Sequence, residues 1–435
     1  MPDPLLEDLL DWLRIPSIST GGGKPDDLHR AAQWVCERVD AAGGDASLLV
    51  TRGNPIAYGE LHAADGDAPT VLIYGHYDVQ GVGDPQAWRS DPFEPEIRDG
   101  RVYARGASDD KGNFLPLLHA ACSMARDGEL PVNVRVLVEG EEEAGGEAVA
   151  DWIRADEVGA DCAIVFDGAM ADENTPAVTV GLRGMVMADV RVRVGRRDLH
   201  SGMYGGSVLN AVHVLHGMLA AVLPGPDGVV REELRAGVAA PAAAELDSWA
   251  ALTPGDRVIS DVGGRPVSPD AGARFYERNG ADTSLDVNEL VAGEPRTIVP
   301  ATARATVSVR LAPGQRSGEI AATLERLLRE AAPPGAEVEL SAHRAEPAWF
   351  DVHAPAIRLA AEAMERACGL APAFVRSGGS IPIVAELARK DIVTIVSGFA
   401  LFDDDIHAPN ESYRLESLAL GEATSRELFR ALARL

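Results

Sequence analysis

Four short apolar runs divide the chain and predict buried strands. They span residues 71–74, 132–138, 162–166 and 392–396. All but the second, which Asn133 and Arg135 interrupt near its start, are close to continuous, as expected of strands covered on both faces in a largely parallel sheet. Helical patterns lie between these runs at residues 28–42, 114–126 and 354–368. This alternation predicts an α/β layer architecture.

The middle of the chain follows a different pattern. Apolar and polar residues alternate at 187–194 and 305–311, as in half-exposed strands. Helices are expected at 207–222 and 317–331, with further strands before Pro300 and around 338–342. The order strand, helix, strand, strand, helix, strand predicts a ferredoxin-like α+β domain inserted into the first one. We therefore place a discontinuous first domain at 1–182 and 348–435, and an inserted second domain at 183–347.

Length, charge and cysteine content limit the classes of protein to which this chain can belong. A chain of 435 residues is too long for one typical domain. The net charge of −27 argues against nucleic acids and anionic membranes as partners. The four cysteines lack CxxC pairing, the N-terminus lacks a signal-peptide pattern, and no apolar stretch approaches the roughly 20 residues that span a bilayer. A soluble cytoplasmic protein is expected.

Metal-ligand residue types follow all four predicted strands. His76 and Asp78 come after the first, Glu141 to Glu143 after the second, Asp167 at the end of the third, and His407 beyond the fourth. Because open α/β sheets build their sites at the carboxyl ends of strands, these groups should converge despite their separation in sequence. Each residue alone is weak evidence, since a single histidine near a turn is more often structural. The joint pattern favours a metal site.

A pair of aspartates extends this pattern. Asp109 and Asp110 lie between Gly106 and Gly112, where the backbone can turn sharply. One of these aspartates could bridge two cations, which would lie about 3.5 to 4 Å apart. Imidazole and carboxylate ligands together suit Zn²⁺ or Mn²⁺ better than Ca²⁺.

Nine motifs resemble one known family. They are GHYDVQ (75–80), WRSDPFEPEIRDGRVYARGASDDKG (88–112), EGEEEAGG (139–146), FDG (166–168), DLHSGMYGG (198–206), RTIVPA (296–301), VRLAP (309–313), RSGGSIP (376–382) and HAPNE (407–411). The chain resembles the dinuclear zinc peptidases and amidases that include carnosinase, aminoacylase, glutamate carboxypeptidase and succinyl-diaminopimelate desuccinylase. Its closest likeness is to the carnosinase-like dipeptidases. The fold that this resemblance implies is a zinc-peptidase-like α/β catalytic, metal-binding domain with a mainly parallel sheet flanked by helices, plus an inserted ferredoxin-like α+β domain that serves as a lid and for dimerisation.

The resemblance implies two divalent metal ions per chain, with zinc favoured and manganese or cobalt as alternatives. One metal would be held by His76, Asp109 and Asp167, and the other by Asp109, Glu143 and His407. In the family, the peptide bond after the bridging aspartate is cis. Asp78 would lie behind His76, accept its second N–H and fix its tautomer.

Further roles follow from the same resemblance. Glu142 would be the general base that takes a proton from a water held between the metals, and Glu141 would remain a solvated neighbour. His200 would stabilise the oxyanion from the partner subunit of a homodimer. Thr297, Arg310 and Ser380, together with His200, match substrate-binding positions, with Arg310 suited to a terminal carboxylate.

The expected activity is hydrolysis of a peptide bond in dipeptides or short peptides. The alternative within the same machinery is a deacylase or amidase that acts on N-acyl amino acids. A non-catalytic binding protein with the same fold is disfavoured, because all implied ligands and the base are present. The chain departs from the family pattern at Ala104, Ala408 and Ser377; the last replaces a glutamate of carnosinase-like enzymes, which puts carnosine-like specificity in doubt.

Overall fold

The computed structural model describes residues 3–379 and 381–435. Its helices are α1 (Pro4–Leu13), α2 (Pro25–Ala41), α3 (Lys111–Arg126), α4 (Ala148–Ala155), α5 (Ser201–Tyr204), α6 (Ala211–Ala220), α7 (Ala243–Ala251), α8 (Gly255–Asp261), α9 (Ser317–Ala331), α10 (Pro355–Cys368), α11 (Pro382–Arg389) and α12 (Leu415–Leu432). Its strands are β1 (Asp45–Leu49), β2 (Ile56–Leu61), β3 (Thr70–His76), β4 (Glu96–Arg98), β5 (Arg101–Tyr103), β6 (Asn133–Glu139), β7 (Cys162–Phe166), β8 (Ala177–Leu182), β9 (Gly184–Arg193), β10 (Leu199–His200), β11 (Ser284–Ala292), β12 (Ile298–Val299), β13 (Thr302–Leu311), β14 (Glu337–Ala345), β15 (Ala348–Trp349), β16 (Ala373–Ser377), β17 (Thr394–Ser397) and β18 (Ser412–Arg414).

The chain forms two compact units. The first unit contains Met1–Val180, Phe350–Val375 and Glu386–Leu435, and the second contains Gly181–Trp349 and Arg376–Ala385. The second unit thus takes residues 376–385 as well as the middle of the chain, whereas the sequence-based boundaries assign that segment to the catalytic domain. A short stretch from the end of β16 into α11 thus belongs by its contacts to the inserted part of the chain.

A large sheet forms the centre of the first unit. Its strand order is β1-β2-β6-β3-β7-β17-β8, and the inner neighbours β6/β3, β3/β7 and β7/β17 are parallel. Every residue of β7 is buried, as are all residues of β3 after Thr70. Such runs require apolar cover on both faces of the sheet, which explains their near-continuous hydrophobicity. The predicted α/β class with a mainly parallel central sheet is confirmed.

Helix α3 joins this core to the loop that carries the aspartate pair. It begins directly after Asp110, and Phe114, Leu117 and Leu118 within it are completely or almost completely buried. The helix packs against β3, α1 and α12. Its N-terminus is therefore held firmly at the edge of the sheet where β3 ends.

The second unit has the predicted order of elements. Strands β9, β11, β13 and β14 form an antiparallel sheet in the order β11-β13-β9-β14, and α6 and α9 pack against it. This is the connectivity of a ferredoxin-like sandwich. Helix α6 begins later than the pattern suggests, because the Asn210 side chain accepts a hydrogen bond from Val212 N and caps the helix there.

None of the helices in the described residues is both long and apolar enough to cross a membrane.

Candidate metal centre

The carboxyl ends of the parallel strands bring five predicted ligands together in the first unit. His76 is the last residue of β3, Asp167 directly follows β7, and Glu143 lies in the turn after β6. Asp109 lies in the loop before α3, and His407 lies in the loop between β17 and β18. Strand ends thus supply three of these side chains, and two loops that converge on the same sheet edge supply the others.

The five side chains form two groups that share one aspartate. His76, Asp109 and Asp167 form the first group, and Asp109, Glu143 and His407 form the second; within each group, the potential ligand atoms all lie within 4.8 Å of one another. Asp109 faces a histidine with each carboxylate oxygen, because Oδ1 is 3.0 Å from His76 Nε2 and Oδ2 is 3.0 Å from His407 Nε2. His407 Nε2 is also 3.1 Å from Glu143 Oε1. Asp109 is therefore the geometric link between the groups, and its peptide bond to Asp110 is cis.

Asp78 is completely buried behind His76. The nearest acceptor to His76 Nδ1 is the backbone carbonyl of Asp78, at 3.0 Å, and the Asp78 carboxylate Oδ1 is 3.4 Å away. The other carboxylate oxygen accepts hydrogen bonds from Ser19 Oγ (2.5 Å) and from the backbone N of Glu143 (3.2 Å). Asp78 therefore orients one residue of each ligand group. Its backbone carbonyl accepts from His76, and its carboxylate accepts from the backbone of Glu143.

Glu411 holds the aspartate loop in place, a role that sequence reasoning missed. This fully buried carboxylate pairs with Arg105 and accepts hydrogen bonds from the backbone N–H groups of Gly106 (3.1 Å), Ser108 (2.9 Å) and Asp109 (3.0 Å). It follows His407 in the same segment, so one loop supplies a ligand and also fixes the backbone of Asp109. The motif HAPNE contains Glu411, but the sequence gives no sign of its three backbone partners.

Two other side chains near the ligands were also missed. Gln80 Nε2 donates to Glu143 Oε2 at 2.9 Å, and Asp110 Oδ2 accepts a hydrogen bond from His76 N at 3.2 Å. Gln80 thus holds the side chain of one ligand residue, and Asp110 holds the backbone of another. Gln80 lies in the motif GHYDVQ, so its closeness to His76 in sequence was the available signal.

The acidic run after β6 divides into separate environments. Glu139 is buried and accepts a hydrogen bond from Tyr74 Oη at 2.5 Å. Glu141 is partly exposed and accepts a hydrogen bond from Asn54 N at 3.0 Å, which fastens it to a neighbouring loop. Glu142 is half-buried beside Glu143. Its carboxylate forms no hydrogen bond or ion pair with the other described residues.

Burial and crowding of negative charge shift the acids of the centre. Burial, followed by the charge of Asp109, raises the pKa of Asp167 well above its usual range. Burial also raises the pKa of Glu142, against the opposing charge of His76, and the charges of Asp109 and Glu143 add to the rise. The pKa of Glu139 rises to about 8, chiefly through burial. Uncompensated carboxylates at this edge would thus hold protons, and a cation would release them.

The histidines and the shared aspartate shift in the opposite sense, toward their charged forms. Burial opposes ionisation of Asp109, but hydrogen bonds with His407 and His76 outweigh it and lower the pKa of Asp109. Hydrogen bonds with Asp109 and Glu143 raise the pKa of His407 to about 10. The pKa of His76 is also raised well above its usual value, since bonds to Asp109 and Asp78 outweigh the effect of burial. The carboxylates around both histidines therefore favour positive charge at this edge, which a bound divalent cation would also supply.

Three of the four predicted substrate residues, His200, Thr297 and Arg310, lie in the second unit. His200 and Thr297 are neighbours there: His200 pairs with Ile298 across β10 and β12, and Ser201 N donates to the Thr297 carbonyl at 2.9 Å. Both residues are exposed. Arg310 lies separately, near the end of β13, and is half-buried. Ser380 lies outside the described residues.

Comparisons with known proteins identify the family. Residues 72–431 match the model of peptidase family M20/M25/M40. The cysteinylglycine-S-conjugate dipeptidase of Corynebacterium striatum is 30% identical over 410 residues, covering 92% of this chain and 89% of that protein. The Cys-Gly metallodipeptidase dug1 of Schizosaccharomyces pombe is 30% identical over 84% of this chain and 80% of its own length.

Solved structures also share the fold of this chain. The M20 family metallo-carboxypeptidase Sso-CP2 from Sulfolobus solfataricus has a TM-score of 0.87 and 27% identity, with all of both chains covered. Human carnosine dipeptidase 1, at 23% identity and a TM-score of 0.78, shares the fold. The resemblance in the nine motifs is thereby confirmed, and the chain belongs to the M20/M25/M40 peptidase family.

Proposed function

We propose that this protein hydrolyses the peptide bond of dipeptides or short peptides with a pair of divalent metal ions. The observation that carries the proposal is the pair of ligand groups that share Asp109, with Glu142 beside them. Two relatives named as dipeptidases, each 30% identical to this chain, support dipeptides as the substrate class.

The donor set fits two divalent cations. It offers two imidazole nitrogens and three carboxylates, a combination typical of zinc. Asp109 presents one oxygen to each group, as a bridging ligand must. The carboxylates around His76 and His407 favour positive charge there, which two divalent cations would supply. We propose zinc as the metal, with manganese or cobalt as alternatives.

Glu142 acts as general base and then as general acid in this proposal. When bound, the metals would polarise the scissile carbonyl and make the attacking water more acidic. The Glu142 carboxylate takes a proton from that water and later transfers it to the leaving amine.

His200 supplies a hydrogen bond to the oxyanion, donated from the partner subunit of a homodimer. Its Nδ1 accepts a hydrogen bond from Gly202 N at 3.0 Å, so the neutral ring carries its proton on Nε2. An exposed imidazole with a fixed Nε2–H donor suits this role. Thr297, Arg310 and Ser380 are proposed substrate-binding residues, with Arg310 on the terminal carboxylate.

A substrate panel tests the proposal. Zinc-reconstituted enzyme is assayed with free dipeptides, N-acylated dipeptides and N-acyl amino acids by quantifying the released amino acid. Hydrolysis of free dipeptides is the expected result. Activity confined to the acylated compounds would favour the deacylase alternative, and loss of all activity on metal removal, with recovery on zinc addition, would tie the reaction to the metal centre.

A further inference from the structure

Arg183 in the second unit is a buried cation without an anionic partner. Only 7% of it is exposed, and it lies in the connection between β8 and β9. Nη1 donates to the neutral oxygens of Ser284 (3.2 Å) and Arg278 (3.4 Å), and Nε has no hydrogen-bond partner. Buried charges are normally paired, so this arrangement requires an explanation.

A second arginine lies at the same end of the four-stranded sheet. Arg310 on β13 pairs with Ser284 of β11 on one side and with Met185 of β9 on the other. Ser284 is thus a neighbour of both arginines. Burial lowers the pKa of Arg183 to about 10, and the charge of Arg310 is the next contribution in that direction. Two like charges that act on each other form a positively charged region at this end of the sheet.

The nearby carboxylates do not neutralise this region. Asp282 is engaged by Arg235 through two hydrogen bonds of 2.9 Å each. Asp286 is exposed on β11 and lies opposite Ser308. Among the described residues, neither Arg183 nor Arg310 has a carboxylate oxygen within 4.0 Å. The region retains a positive excess.

The surroundings of Arg183 are built to hold its side chain. Its backbone N donates to the Ser377 carbonyl at 3.1 Å. A Cβ on Gly378 would lie 3.1 Å from Arg183 Nη2, so glycine leaves the space that the guanidinium needs. Arg376, which directly precedes Ser377, is anchored by a fully buried bidentate ion pair with Glu245. Such fixed packing is the support that a recognition residue requires.

We propose that Arg183 and Arg310 form a subsite for two carboxylates, which selects substrates whose C-terminal residue is aspartate or glutamate. The inference rests on the proposed function, in which Arg310 binds the terminal carboxylate. Arg183 then binds the side-chain carboxylate, as a planar guanidinium does well. Glutamine and asparagine have nearly the same shape but would leave Arg183 unpaired.

The kinetic test compares alanyl-glutamate with alanyl-glutamine on zinc-reconstituted enzyme. We expect kcat/KM to favour alanyl-glutamate by roughly tenfold or more, mainly through KM, because one charge-assisted contact differs. Arg183→Gln should remove most of this preference, and Arg183→Lys should keep part of it. Arg304→Gln is the control, because it changes an exposed arginine of β13, the strand that carries Arg310. It should leave the preference for alanyl-glutamate unchanged. Equal rates for both peptides in the unmodified enzyme, or an unchanged preference in Arg183→Gln, would overturn the proposal.

A binding measurement decides the question even if Arg183→Gln fails to fold. Isothermal titration of the metal-free protein with glutarate and with butyrate compares a dianion with a monoanion, without contribution from the metals. Tighter binding of glutarate supports the subsite, and equal or undetectable binding of both argues against it. Absence of hydrolysis with every dipeptide would contradict the proposed function itself, whereas hydrolysis without preference for acidic residues would contradict only the subsite.

Discussion

The two units bury unbalanced charge of opposite sign. The first unit gathers carboxylates at one sheet edge, where burial and mutual repulsion raise the pKa values of Asp167 and Glu142. The second unit holds Arg183 among neutral partners, and burial together with Arg310 lowers its pKa. Buried negative charge is stabilised by a bound cation, and buried positive charge by a bound anion. The same physical observation therefore points to a metal in one unit and to a substrate carboxylate in the other.

The two regions also differ in how they are supported. The carboxylates of the first unit are held by a network that includes Asp78, Gln80 and Glu411. Arg183 is held mainly by packing and by hydrogen bonds to uncharged oxygens. Metal ligands need fixed distances, which a network of hydrogen bonds supplies. Charge selection requires only a properly placed cation.

The largest effect should come from removing the base while leaving the ligands intact. In Glu142→Gln we expect kcat to fall by about 10²- to 10⁴-fold, the usual contribution of general base catalysis. Metal content should stay at two per chain, because Glu142 belongs to neither ligand group. Metal analysis and steady-state kinetics on the same preparation check this. Full activity in the variant would refute the role of Glu142, and loss of metal would assign it a ligand role.

A buried acid outside the ligand groups should make stability depend on pH. The pKa of Glu139 is raised from about 4.5 to about 8, mainly by burial. Since the folded state binds this proton more tightly than the unfolded state, the stabilisation is complete below pH ~4.5 and is lost as pH rises to ~8. This loss is on the order of 4 kcal/mol. Glu139→Gln should flatten the dependence.

Urea unfolding of the metal-free protein at pH 5.5 and pH 8 measures this difference. The quantity to compare is the change in unfolding free energy between the two pH values, in the parent protein and in Glu139→Gln. Glutamine can still accept the hydrogen bond from Tyr74, so packing is largely preserved. Equal slopes in both proteins would show that Glu139 does not hold its proton in the folded state.

Mixing two inactive variants tests whether His200 acts across a dimer. His200→Ala should lose about 10²- to 10³-fold in kcat, as expected for an oxyanion donor. His407→Ala should be inactive through loss of a ligand. In an equal mixture, half of the metal sites are intact and half of these receive His200, so about a quarter of the activity should return. No recovery in a demonstrated heterodimer would mean that each chain completes its own site.

Breaking the support of Asp109 should weaken metal binding more than it alters the fold. In Glu411→Gln, one acceptor oxygen becomes an N–H₂ group that faces the backbone donors of Ser108 and Asp109 or of Gly106. We expect zinc affinity to fall by about 10- to 100-fold, as for other residues that orient metal ligands. Competition with a chromophoric chelator measures this affinity. Unchanged affinity would show that Asp109 keeps its position without Glu411.

Sequence alone predicted the strands that carry the centre, because they are mostly apolar runs followed by unusual ligand residue types. It also predicted the order of elements in the second unit, since helix α9 and the alternating strands have clear periodicities. It missed the support by Glu411 and Gln80 and the isolation of Arg183. These depend on contacts between segments far apart in the chain, such as the 303 residues between Ser108 and Glu411. Side-chain periodicity does not contain that information.

The smallest effect should come from an ion pair on the surface of the second unit. Arg326 and Glu330 lie one helical turn apart on α9, 3.0 Å from each other, and both side chains are at least half exposed. Water and salt screen such a pair, so Glu330→Gln should lower the free energy of unfolding by about 0.5 kcal/mol or less. Urea unfolding at low and high salt measures this change, which should vanish at high salt. A loss of several kcal/mol would contradict the distinction drawn above. In that distinction, buried charges favour a bound ligand, whereas exposed charges interact mainly with water.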